Sequence, residues 1–536
     1  MNSQPRAIIS VYDKTNLDLL VNHLFNQNYI IYSTGGTYNQ IKSFMNINEI
    51  DSKRLISISD FTEYSEICNG RVKTLHPKIY GGILSLPDNN DHIHDLNSIN
   101  GVNFNLVVVN LYPFSDTLKQ TDNFDEIIEQ IDIGGHTLLR ASIKNYKNII
   151  TLCDPNIYQE FIDNKLNNLE YAKISMAKVM KYDIDINNWF QSLDDSMSNI
   201  IGQYYIPHKE LKYGLNPYMK PSYLMTKNDN KLPYKILNGN PGYINLLDAG
   251  NAIRLVLEAS SLLKVDCCTS FKHTSPAGVS NSISPIFCEH THENMNHSEM
   301  VFLNCRHIDP KSSFGDFIAF SGTVDVNMAL RIKKYVSDGI IAANYTSKAL
   351  EILKTKKNGS YTILQQNELV EGLEFRDFNG ATLVQPSNDM YLYRDELISY
   401  IQNQHVMEQI SPMVIDDMIL GFITLKYTQS NSICFVYKGN VIGIGAGQQN
   451  RVDCTKIAGN KARDWLNRNN IDLDTADLVL VSDAFLPFPD NVDVAKEYHV
   501  KYILQPGGSI RDNEVESACK NHNITMIYNN KRVFTH

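Results

Sequence analysis

The residues best suited to chemistry in this 536-residue sequence are Lys272 and His273, which stand side by side in "TSFKHTSPAGVS" (269–280). They follow the run "VDCC" and precede Ser-Pro-Ala-Gly, which places them at the end of a predicted strand. An imidazole that titrates near neutral pH can accept a proton from an amine, and a neighbouring ammonium group can stabilise charge on a carbonyl oxygen. The pair therefore predicts acid–base chemistry, with a plain surface pair as the structural alternative.

A second set of candidate acid–base residues comes from "NLYPF" (110–114) and "IDIGGHTLLRASIKN" (131–145). Asp132 precedes two glycines that permit close backbone approach, and Lys144 lies about three helical turns further on. Together with Tyr112 they could form an acid–base set, although each alone is equally suited to a structural role.

Two short motifs predict a phosphate site. "STGGT" (33–37) lies between a predicted strand and a predicted helix, so backbone N–H groups and the helix N-terminus could bind an anion. "SVYDKT" (10–15) places Lys14 and Thr15 at the end of the first strand, where open α/β sheets bind ligands. The alternative for "STGGT" is a tight turn with a helix cap.

The segment "GRVKTLHP" (70–77) concentrates Arg71, Lys73, Thr74 and His76. On an extended strand alternate residues point the same way, so Arg71 and Lys73 are expected on one side. They could surround an anion, or they could be ordinary surface charges.

Two segments resemble cofactor-binding motifs, but neither matches the full pattern. "GIGAGQQNR" (443–451) lacks the third glycine of a dinucleotide fingerprint, and we reject NAD binding. "CEHTHENMNHSEMVFLNCRH" (288–307) is rich in His, but its two cysteines lack zinc-site spacing, and a solvated loop explains the composition equally well. We therefore expect no metal.

The elements that must position these residues alternate along the chain. "AIISV" (7–11), "YIIYS" (29–33), "FNLVVVNLYPF" (104–114) and "NIITLCD" (148–154) are predicted strands, and residues 16–27 form an amphipathic helix. This pattern predicts a parallel sheet covered by helices. The pattern loosens near residue 200, where we place a domain boundary.

The second part also alternates, with a buried helix predicted at 245–263 and a hairpin that turns at Gly439-Asn440. "FKHTSPAGV" (271–279) and "LKYTQSNSI" (425–433) are faintly alike, as are "VSDGII" (336–341) and "VSDAFL" (481–486). The likeness suggests two related α/β subdomains, or chance.

Composition narrows the class of protein. A net charge of −10 offers no basic face for nucleic acid, and no apolar run is long enough for a membrane span. The N-terminus has no signal-peptide pattern, and nine scattered cysteines argue against a disulfide framework, so we expect a cytoplasmic location.

Taken together, the motifs resemble those of one family, the bifunctional purine-biosynthesis enzyme AICAR transformylase/IMP cyclohydrolase. Besides the motifs above, the resemblance rests on "LKYGLNP", "LNGNPGYINLLDA", "SSFGDF", "VSDGIIA", "KYTQSNSICF", "VIGIGAGQQNR", "SDAFLPFPDNVD" and a terminal "NKRVF". They run in family order from residue 10 to residue 534.

The resemblance implies an α/β fold in two parts. Residues 1–200 would form a methylglyoxal-synthase-like cyclohydrolase domain with a parallel sheet. Residues 201–536 would form a transformylase domain built from two cytidine-deaminase-like α/β subdomains without their zinc, in agreement with the missing "PCxxC" signature.

For the cyclohydrolase the resemblance implies that Lys144, Tyr112, Asp132 and Lys73 are catalytic. The residues expected to bind its nucleotide substrate are Tyr12, Asp13, Lys14, Thr34, Gly35, Gly36, Thr37, Arg71, Val72, Thr74, Val109, Asn110 and Ile133. Their task would be closure of the purine ring of formyl-AICAR with loss of water.

For the transformylase the resemblance implies that Lys272 and His273 are catalytic. The residues expected to bind AICAR are Lys212, Tyr213, Asn238, Gly315, Asp338, Asn431, Arg451, Phe485 and Arg532. Those expected to bind folate are Val452, Asp490, Asn491, Ser509 and Ile510.

The implied co-substrate is 10-formyltetrahydrofolate, and the implied assembly is a homodimer with shared transformylase sites. This chain has Lys212 where the family usually has Arg, Tyr218 within "NPYM" where "NPHQ" is common, and Pro489 in place of a common Arg. Two rivals stay open, namely a nucleotide-binding protein without catalysis and a zinc-dependent deaminase-like enzyme that uses the His-rich segment.

Overall fold

The computed structural model describes residues 4–193, 201–228, 231–282, 295–404 and 410–536. Contacts between Cα atoms divide the chain into two compact units, Met1–Tyr205 and Ile206–His536. Within the described residues, no helix combines the length and the apolar composition that a membrane crossing requires.

Within its described residues, the first unit contains five short strands and ten α-helices. In chain order these are β1 (Arg6–Val11), α1 (Leu17–Asn26), β2 (Ile30–Ser33), α2 (Gly35–Ile47), β3 (Leu55–Ser57), α3 (Ile58–Thr62), α4 (Pro77–Leu84), α5 (Asn90–Ser98), β4 (Leu106–Asn110), α6 (Phe114–Thr117), α7 (Phe124–Ile128), α8 (Gly134–Lys144), β5 (Ile150–Leu152), α9 (Tyr158–Ile162) and α10 (Asn168–Gln191). The predicted strands and the amphipathic helix α1 are confirmed.

The five strands form a parallel sheet in the order β3-β2-β1-β4-β5. Every residue of β4 is buried, because apolar clusters pack on both faces of the sheet, as its continuous run of Val and Leu predicts. Neighbouring strands run to the same edge, so the segments that follow β1, β2 and β4 lie together there.

The remaining elements belong to the second unit, except that the first residue of β6, Tyr205, is assigned to the first unit. In chain order these are β6 (Tyr205–Leu211), β7 (Ser222–Lys227), β8 (Lys235–Asn238), α11 (Tyr243–Leu263), β9 (Cys268–Lys272), β10 (Ser275–Ser280), α12 (His297–Arg306), β11 (Asp316–Val324), α13 (Val326–Lys334), β12 (Ser337–Tyr345), α14 (Ser347–Lys354), β13 (Thr362–Gln365), β14 (Leu373–Phe378), β15 (Ala381–Pro386), α15 (Arg394–Asn403), α16 (Pro412–Lys426), β16 (Ile433–Tyr437), β17 (Asn440–Gly445), α17 (Arg451–Arg468), β18 (Val479–Ser482), α18 (Asp490–Glu497), β19 (Tyr502–Gln505), α19 (Asp512–Asn521) and β20 (Thr525–Tyr528).

Eleven of these strands form one mixed sheet in the order β20-β19-β18-β16-β17-β10-β9-β11-β12-β13-β8. Each half contains a helix, an antiparallel hairpin and three parallel strands, and the halves join where β10 pairs antiparallel with β17. Edge strand β8 pairs antiparallel with β13. The arrangement is therefore an internal repeat. Because β10 and β17 are antiparallel, the two hairpin turns lie at opposite ends of the strands.

The repeat exists, but the predicted match between "FKHTSPAGV" and "LKYTQSNSI" is wrong. The first segment forms the hairpin of β9 and β10, whereas the second joins the end of α16 to the start of β16. The hairpin of the second half turns instead at Lys438-Gly439, between the paired residues Tyr437 and Asn440. Short shared words in the sequence did not reveal the topological correspondence.

Two glycines of "GIGAG", Gly443 and Gly445, allow close packing of a helix against a strand. A Cβ atom on Gly443 would lie 2.1 Å from the carbonyl oxygen of Ala458, and one on Gly445 would lie 2.3 Å from that of Cys454. Both glycines lie in β17. They let α17 pack directly against the strand.

Two further two-stranded ribbons, β6–β7 and the antiparallel β14–β15, pair with no strand of the large sheet within the described part of the chain. Their side chains are largely exposed, including several apolar ones. A two-stranded ribbon is marginally stable in water, so these ribbons need further packing.

Candidate functional site

A cavity of about 520 Å³ opens at the carboxyl edge of the first unit's sheet. It lies where the strand order changes direction around β1, the position at which open α/β sheets bind ligands. The predicted residues that line it are Tyr12, Lys14, Thr34, Gly35, Gly36, Thr37, Arg71, Lys73, Thr74, Asn110, Tyr112, Asp132 and Ile133.

Asn110 and Thr37 hold the loop after β1 against this cavity. The Asn110 side-chain oxygen accepts hydrogen bonds from the backbone N–H groups of Tyr12 (2.6 Å) and Asp13 (2.9 Å), and its amide nitrogen donates to the carbonyl of Asp13 (2.7 Å). The Thr37 hydroxyl donates to the carbonyl oxygen of Val11 at 3.0 Å. The loop that carries Lys14 is thereby fixed.

The cavity can bind an anion. Helices α2 and α8 both begin at its wall, with Gly35 and Gly134, and direct backbone N–H groups toward it. A Cβ atom on Gly35 would lie 3.8 Å from the Nζ of Lys73, and one on Gly36 would lie 4.0 Å from the Nζ of Lys14. The glycines therefore allow both ammonium groups to lie close to the start of α2.

Arg71 and Lys73 reach the cavity from a loop, so the predicted strand over "GRVKT" is wrong. Residues 68–70 form a single tight turn with positive φ angles, and Val72 forms only an isolated bridge with Ile67. Because the loop is curved, both cations still line the cavity.

Two carboxylates that the sequence analysis missed pair with these cations. The Lys73 ammonium lies 3.4 Å from Glu66, and Arg71 forms an ion pair with Glu129. Neither Glu lies in a recognisable motif, so no signal in the sequence distinguished them.

Asp132 and Tyr112 form the acid–base part of the cavity. Burial raises the pKa of the Asp132 carboxyl group, although its Oδ1 accepts a 2.6 Å hydrogen bond from the backbone of Gly135. Burial also raises the pKa of Tyr112, and the charge of Asp132 adds to this. The rings of Tyr112 and Tyr12 meet edge to face at 5.6 Å. Burial thus shifts both groups toward their protonated forms, the forms that can donate protons.

Asp13, Val72, Val109 and Lys144 were expected at this site but do not line the cavity. The Asp13 carboxylate binds the backbone of Thr15, and hydrogen bonding to Thr15 lowers its pKa. Lys144 is exposed at the last residue of α8, about 13.5 Å along the helix axis from Gly135. The helix that supplies the cavity wall therefore carries Lys144 away from it.

Lys272 and His273 line a second cavity of about 390 Å³ in the unit Ile206–His536. Lys272 ends β9 and donates a 2.7 Å hydrogen bond to the carbonyl oxygen of Phe314. His273 and Thr274 form the two-residue hairpin turn, both with φ in the left-handed region (+56° and +59°). The predicted pair therefore lies at a strand end and faces one concavity.

Three residues expected to bind AICAR meet at one point. The Arg451 guanidinium donates to the side-chain oxygen of Asn431 (3.1 Å) and to the carbonyl of Phe485 (3.3 Å). It also forms an ion pair of 2.5 Å with Asp483, which is fully buried. Asp483 was missed as a site residue, although it lies within the motif "SDAF".

Asn238, Gly315 and Asp338 lie on neighbouring strands at the same edge of the sheet as the β9–β10 turn. The Asn238 side chain donates to the carbonyl of Tyr361 at 2.8 Å, and Asp338 forms a 2.8 Å ion pair with Lys357. Gly315 has a φ of +74°. These expected AICAR residues thus belong to the half of the sheet that carries Lys272.

The expected folate residues gather where β18 and β19 end. Asp490 and Asn491 begin α18, Ser509 and Ile510 follow β19, and Val452 lies in the first turn of α17. The oxygen of the buried Asn491 side chain accepts no hydrogen bond from the described residues, whereas Ile510 is fully exposed.

Three expected AICAR residues remain. Of these, Arg532 adjoins the cluster around Arg451, because the N–H of its neighbour Val533 donates a 2.9 Å hydrogen bond to the carbonyl oxygen of Asp483. Lys212 and Tyr213 follow β6 on the ribbon β6–β7, with the Lys212 ammonium over the Tyr213 ring at 5.8 Å. Arg532 lies over the ring of Phe534 at 4.8 Å. Tyr218, a departure from the family pattern, is largely exposed on the same ribbon connection.

Within the ranges that the structure describes, no group of three or more His, Cys, Asp or Glu side chains is arranged to hold a metal ion. Cys288, His290 and His292 of the His-rich segment lie outside those ranges. His297 begins α12 and lies 3.4 Å from Asp266.

Comparison with known proteins gives a consistent result over the whole chain. A family model described as AICARFT/IMPCHase bienzyme matches residues 142–461, and one described as MGS-like domain matches residues 17–137. Proteins named bifunctional purine biosynthesis protein PurH, from Prochlorococcus marinus strains MIT 9301 and AS9601, are each 35% identical and cover 99% of this chain and 100% of their own. A solved structure, titled "Crystal structure of ForH", is 24% identical with a TM-score of 0.30 and covers 35% of this chain and 100% of its own.

Proposed function

The chain belongs to the AICARFT/IMPCHase bienzyme family, and on that premise we propose how its residues carry out the last two steps of purine-nucleotide synthesis. The chain is a bifunctional transformylase and cyclohydrolase. The unit Met1–Tyr205 closes the purine ring, and the unit Ile206–His536 transfers the formyl group. The observation that carries this division is the separation of two cavities, one lined by Tyr112 and Asp132 and the other by Lys272 and His273.

In the cyclohydrolase step, the carboxamide nitrogen of formyl-AICAR attacks the formyl carbon, and water is lost. The start of α2 and the ammonium group of Lys14 bind the phosphate. Asp132 and Tyr112, both held toward the protonated form by burial, protonate the departing oxygen. Lys73 stabilises the charge that develops on that oxygen.

In the transformylase step, the 5-amine of AICAR attacks the formyl carbon of 10-formyltetrahydrofolate, and tetrahydrofolate leaves. His273 accepts the proton that the amine loses, and the Lys272 ammonium stabilises the oxyanion of the tetrahedral intermediate. Arg451, Asn431 and Phe485 support nucleotide binding because they form one connected cluster.

Binding of the folate is supported by the chemistry around the ends of β18 and β19. Ile510 and the rings of Phe485 and Phe488 are exposed there, which suits a flat aromatic ligand. The unpartnered oxygen of Asn491 could accept a hydrogen bond from an amino group of the pterin. No metal takes part in either proposed step.

A homodimer that shares transformylase sites explains the ribbons β6–β7 and β14–β15. Tyr205, Tyr223, Leu373, Phe378 and Leu383 are each more than 40% exposed on these ribbons. Exposed apolar side chains on unpaired ribbons are typical of an association surface. A second copy would cover them, and the ribbon would carry Lys212 and Tyr213 with it. We expect this assembly in the cytoplasm.

The deciding experiment supplies the purified chain with AICAR and 10-formyltetrahydrofolate and follows IMP by chromatography. Formation of both formyl-AICAR and IMP is expected. A chain that binds the nucleotide but forms neither product would establish the non-catalytic rival instead.

A further inference from the structure

Two aspartates, Asp248 and Asp417, occupy equivalent places in the two halves of the large sheet. Each is the sixth residue of the helix that precedes the hairpin, since α11 begins at Tyr243 and α16 begins at Pro412. Both are almost fully buried, at 5% and 2% exposure.

Each aspartate binds the backbone of the hairpin turn in its own half. Asp248 accepts a 2.7 Å hydrogen bond from the backbone N–H of Thr274, the second residue of the turn, and lies close to His273. Asp417 accepts bonds from the N–H groups of Lys438 (2.8 Å) and Gly439 (2.7 Å). In both halves one buried acid thus binds the backbone of the hairpin turn, through one hydrogen bond at Asp248 and two at Asp417.

The turn in the first half is the harder one to hold. His273 and Thr274 have φ angles of +56° and +59°, and the branched side chain of Thr disfavours that region strongly. The turn of the second half places Gly439 at its second position, where a φ of +74° carries no such penalty. Asp248 therefore holds a backbone that its own residues do not favour.

The two turns differ in what they carry. Since β10 pairs antiparallel with β17, the turns lie at opposite edges of the sheet. The turn that Asp248 holds carries His273 and adjoins Lys272 at the second cavity, whereas the turn that Asp417 holds contributes no residue to that cavity.

We propose that Asp248 is a positioning residue for formyl transfer, which fixes the turn His273-Thr274 so that His273 and Lys272 face the same substrate. This inference rests on the proposed function of Lys272 and His273. Asp417 has the same structural task without the catalytic one. It therefore provides an internal control for the loss of a buried carboxylate that binds a hairpin turn.

The test compares Asp248→Ala and Asp248→Asn with Asp417→Ala in the full-length protein. The assays measure kcat and KM for formyl transfer, the rate of ring closure from added formyl-AICAR, and the thermal unfolding midpoint. Wild-type formyl transfer is measured first, so that a failure of the proposed function is recognised separately.

For Asp248→Ala we expect kcat for formyl transfer to fall by about tenfold or more, because small displacements of catalytic groups are costly, with KM for AICAR changed less. Asp248→Asn keeps one acceptor oxygen and should recover about half of the loss on a logarithmic scale. Ring closure should be unchanged in both variants. Asp417→Ala should lower the unfolding midpoint and leave kcat within about twofold.

Equal losses of kcat in Asp248→Ala and Asp417→Ala would show a merely structural role and overturn the inference. So would unchanged kcat in a folded Asp248→Ala chain. If the alanine variant does not fold, the kcat of Asp248→Asn decides, and a value within about twofold of the wild type would also overturn it.

Discussion

The Nζ of Lys272 lies 2.7 Å from the carbonyl oxygen of Phe314, so the ammonium group is held at the rim of the second cavity by a main-chain acceptor. Its neighbour His273 is exposed on the same cavity. This geometry suits a cation that stabilises an oxyanion beside a base that is open to substrate.

We expect His273→Ala to slow formyl transfer by about 10²–10⁴-fold, because a general base contributes that much. Ring closure of added formyl-AICAR should stay normal, since the first cavity is lined by other residues. Product analysis by chromatography measures both rates. Lys438→Ala, at the corresponding turn of the other hairpin, is the matched control and should change neither rate. Loss of both activities in a folded His273→Ala chain would contradict two separate sites.

Lys73→Ala should slow ring closure by about 10²-fold or more, because Lys73 is positioned at the cavity as an electrostatic group.

If Lys144 acts as the family resemblance implies, it must reach the cavity of another copy, since it lies far along α8 from its own. Lys144→Ala should then also be slow, and mixing the two variants should restore about a quarter of the wild-type rate through mixed dimers. Absence of recovery would place both lysines in one chain's site, or exclude Lys144 from catalysis.

Asp417 should make stability fall as pH rises toward neutrality. Burial raises its pKa to about 7, so the native state binds the proton more tightly than the unfolded chain, in which an Asp titrates near 4. The contribution is complete below about pH 4 and is lost at up to about 1.4 kcal/mol per pH unit as pH approaches 7. Asp417→Asn should flatten this slope in thermal unfolding measured from pH 4 to pH 7. An identical slope in the variant would exclude Asp417 as the titrating group.

A buried ion pair joins α11 to α16, where Lys426 lies 3.0 Å from the Glu258 carboxylate and both side chains are 1% exposed. Burial raises the pKa of Glu258 and lowers that of Lys426. Lys426→Met should lower the free energy of unfolding by about 3–5 kcal/mol, because it leaves Glu258 buried without its cation. Adding Glu258→Gln should recover much of that loss.

The control for this pair is Lys501→Met, which breaks the exposed pair of Lys501 and Asp477. This substitution should lower the free energy of unfolding by less than about 1 kcal/mol in the same measurement. Equal costs for Lys426→Met and Lys501→Met would show that burial does not govern the first pair.

Local patterns sufficed for much of the first unit. The run around Val107 predicts a strand buried on both faces, and "STGGT" predicts a connection between a strand and a following helix, although α2 already begins at Gly35 within the motif. Both features depend on residues close together in sequence. Backbone preference and hydrophobic burial act there without help from distant segments.

The sequence patterns did not predict contacts between residues that are far apart in the chain. Glu129 becomes the partner of Arg71 only because segments from different parts of the chain meet at one cavity. The equivalence of the turns at His273 and Lys438 likewise follows from the pairing of β10 with β17, which no periodicity reveals. The resemblance to a family implies a catalytic role for Lys144 from its motif, but the sequence does not reveal that the end of α8 lies away from the cavity of this chain.

Edge strand β8 pairs with β13, and the Asn238 side chain donates a hydrogen bond to the carbonyl oxygen of Tyr361. This hydrogen bond can form only after the ribosome has synthesised Tyr361. At 5–20 residues per second the ribosome needs about 6–25 s for the intervening chain. During that interval the nascent polypeptide exposes the unpaired strand Lys235–Asn238. This edge of the large sheet is therefore completed only after Tyr361 has been synthesised.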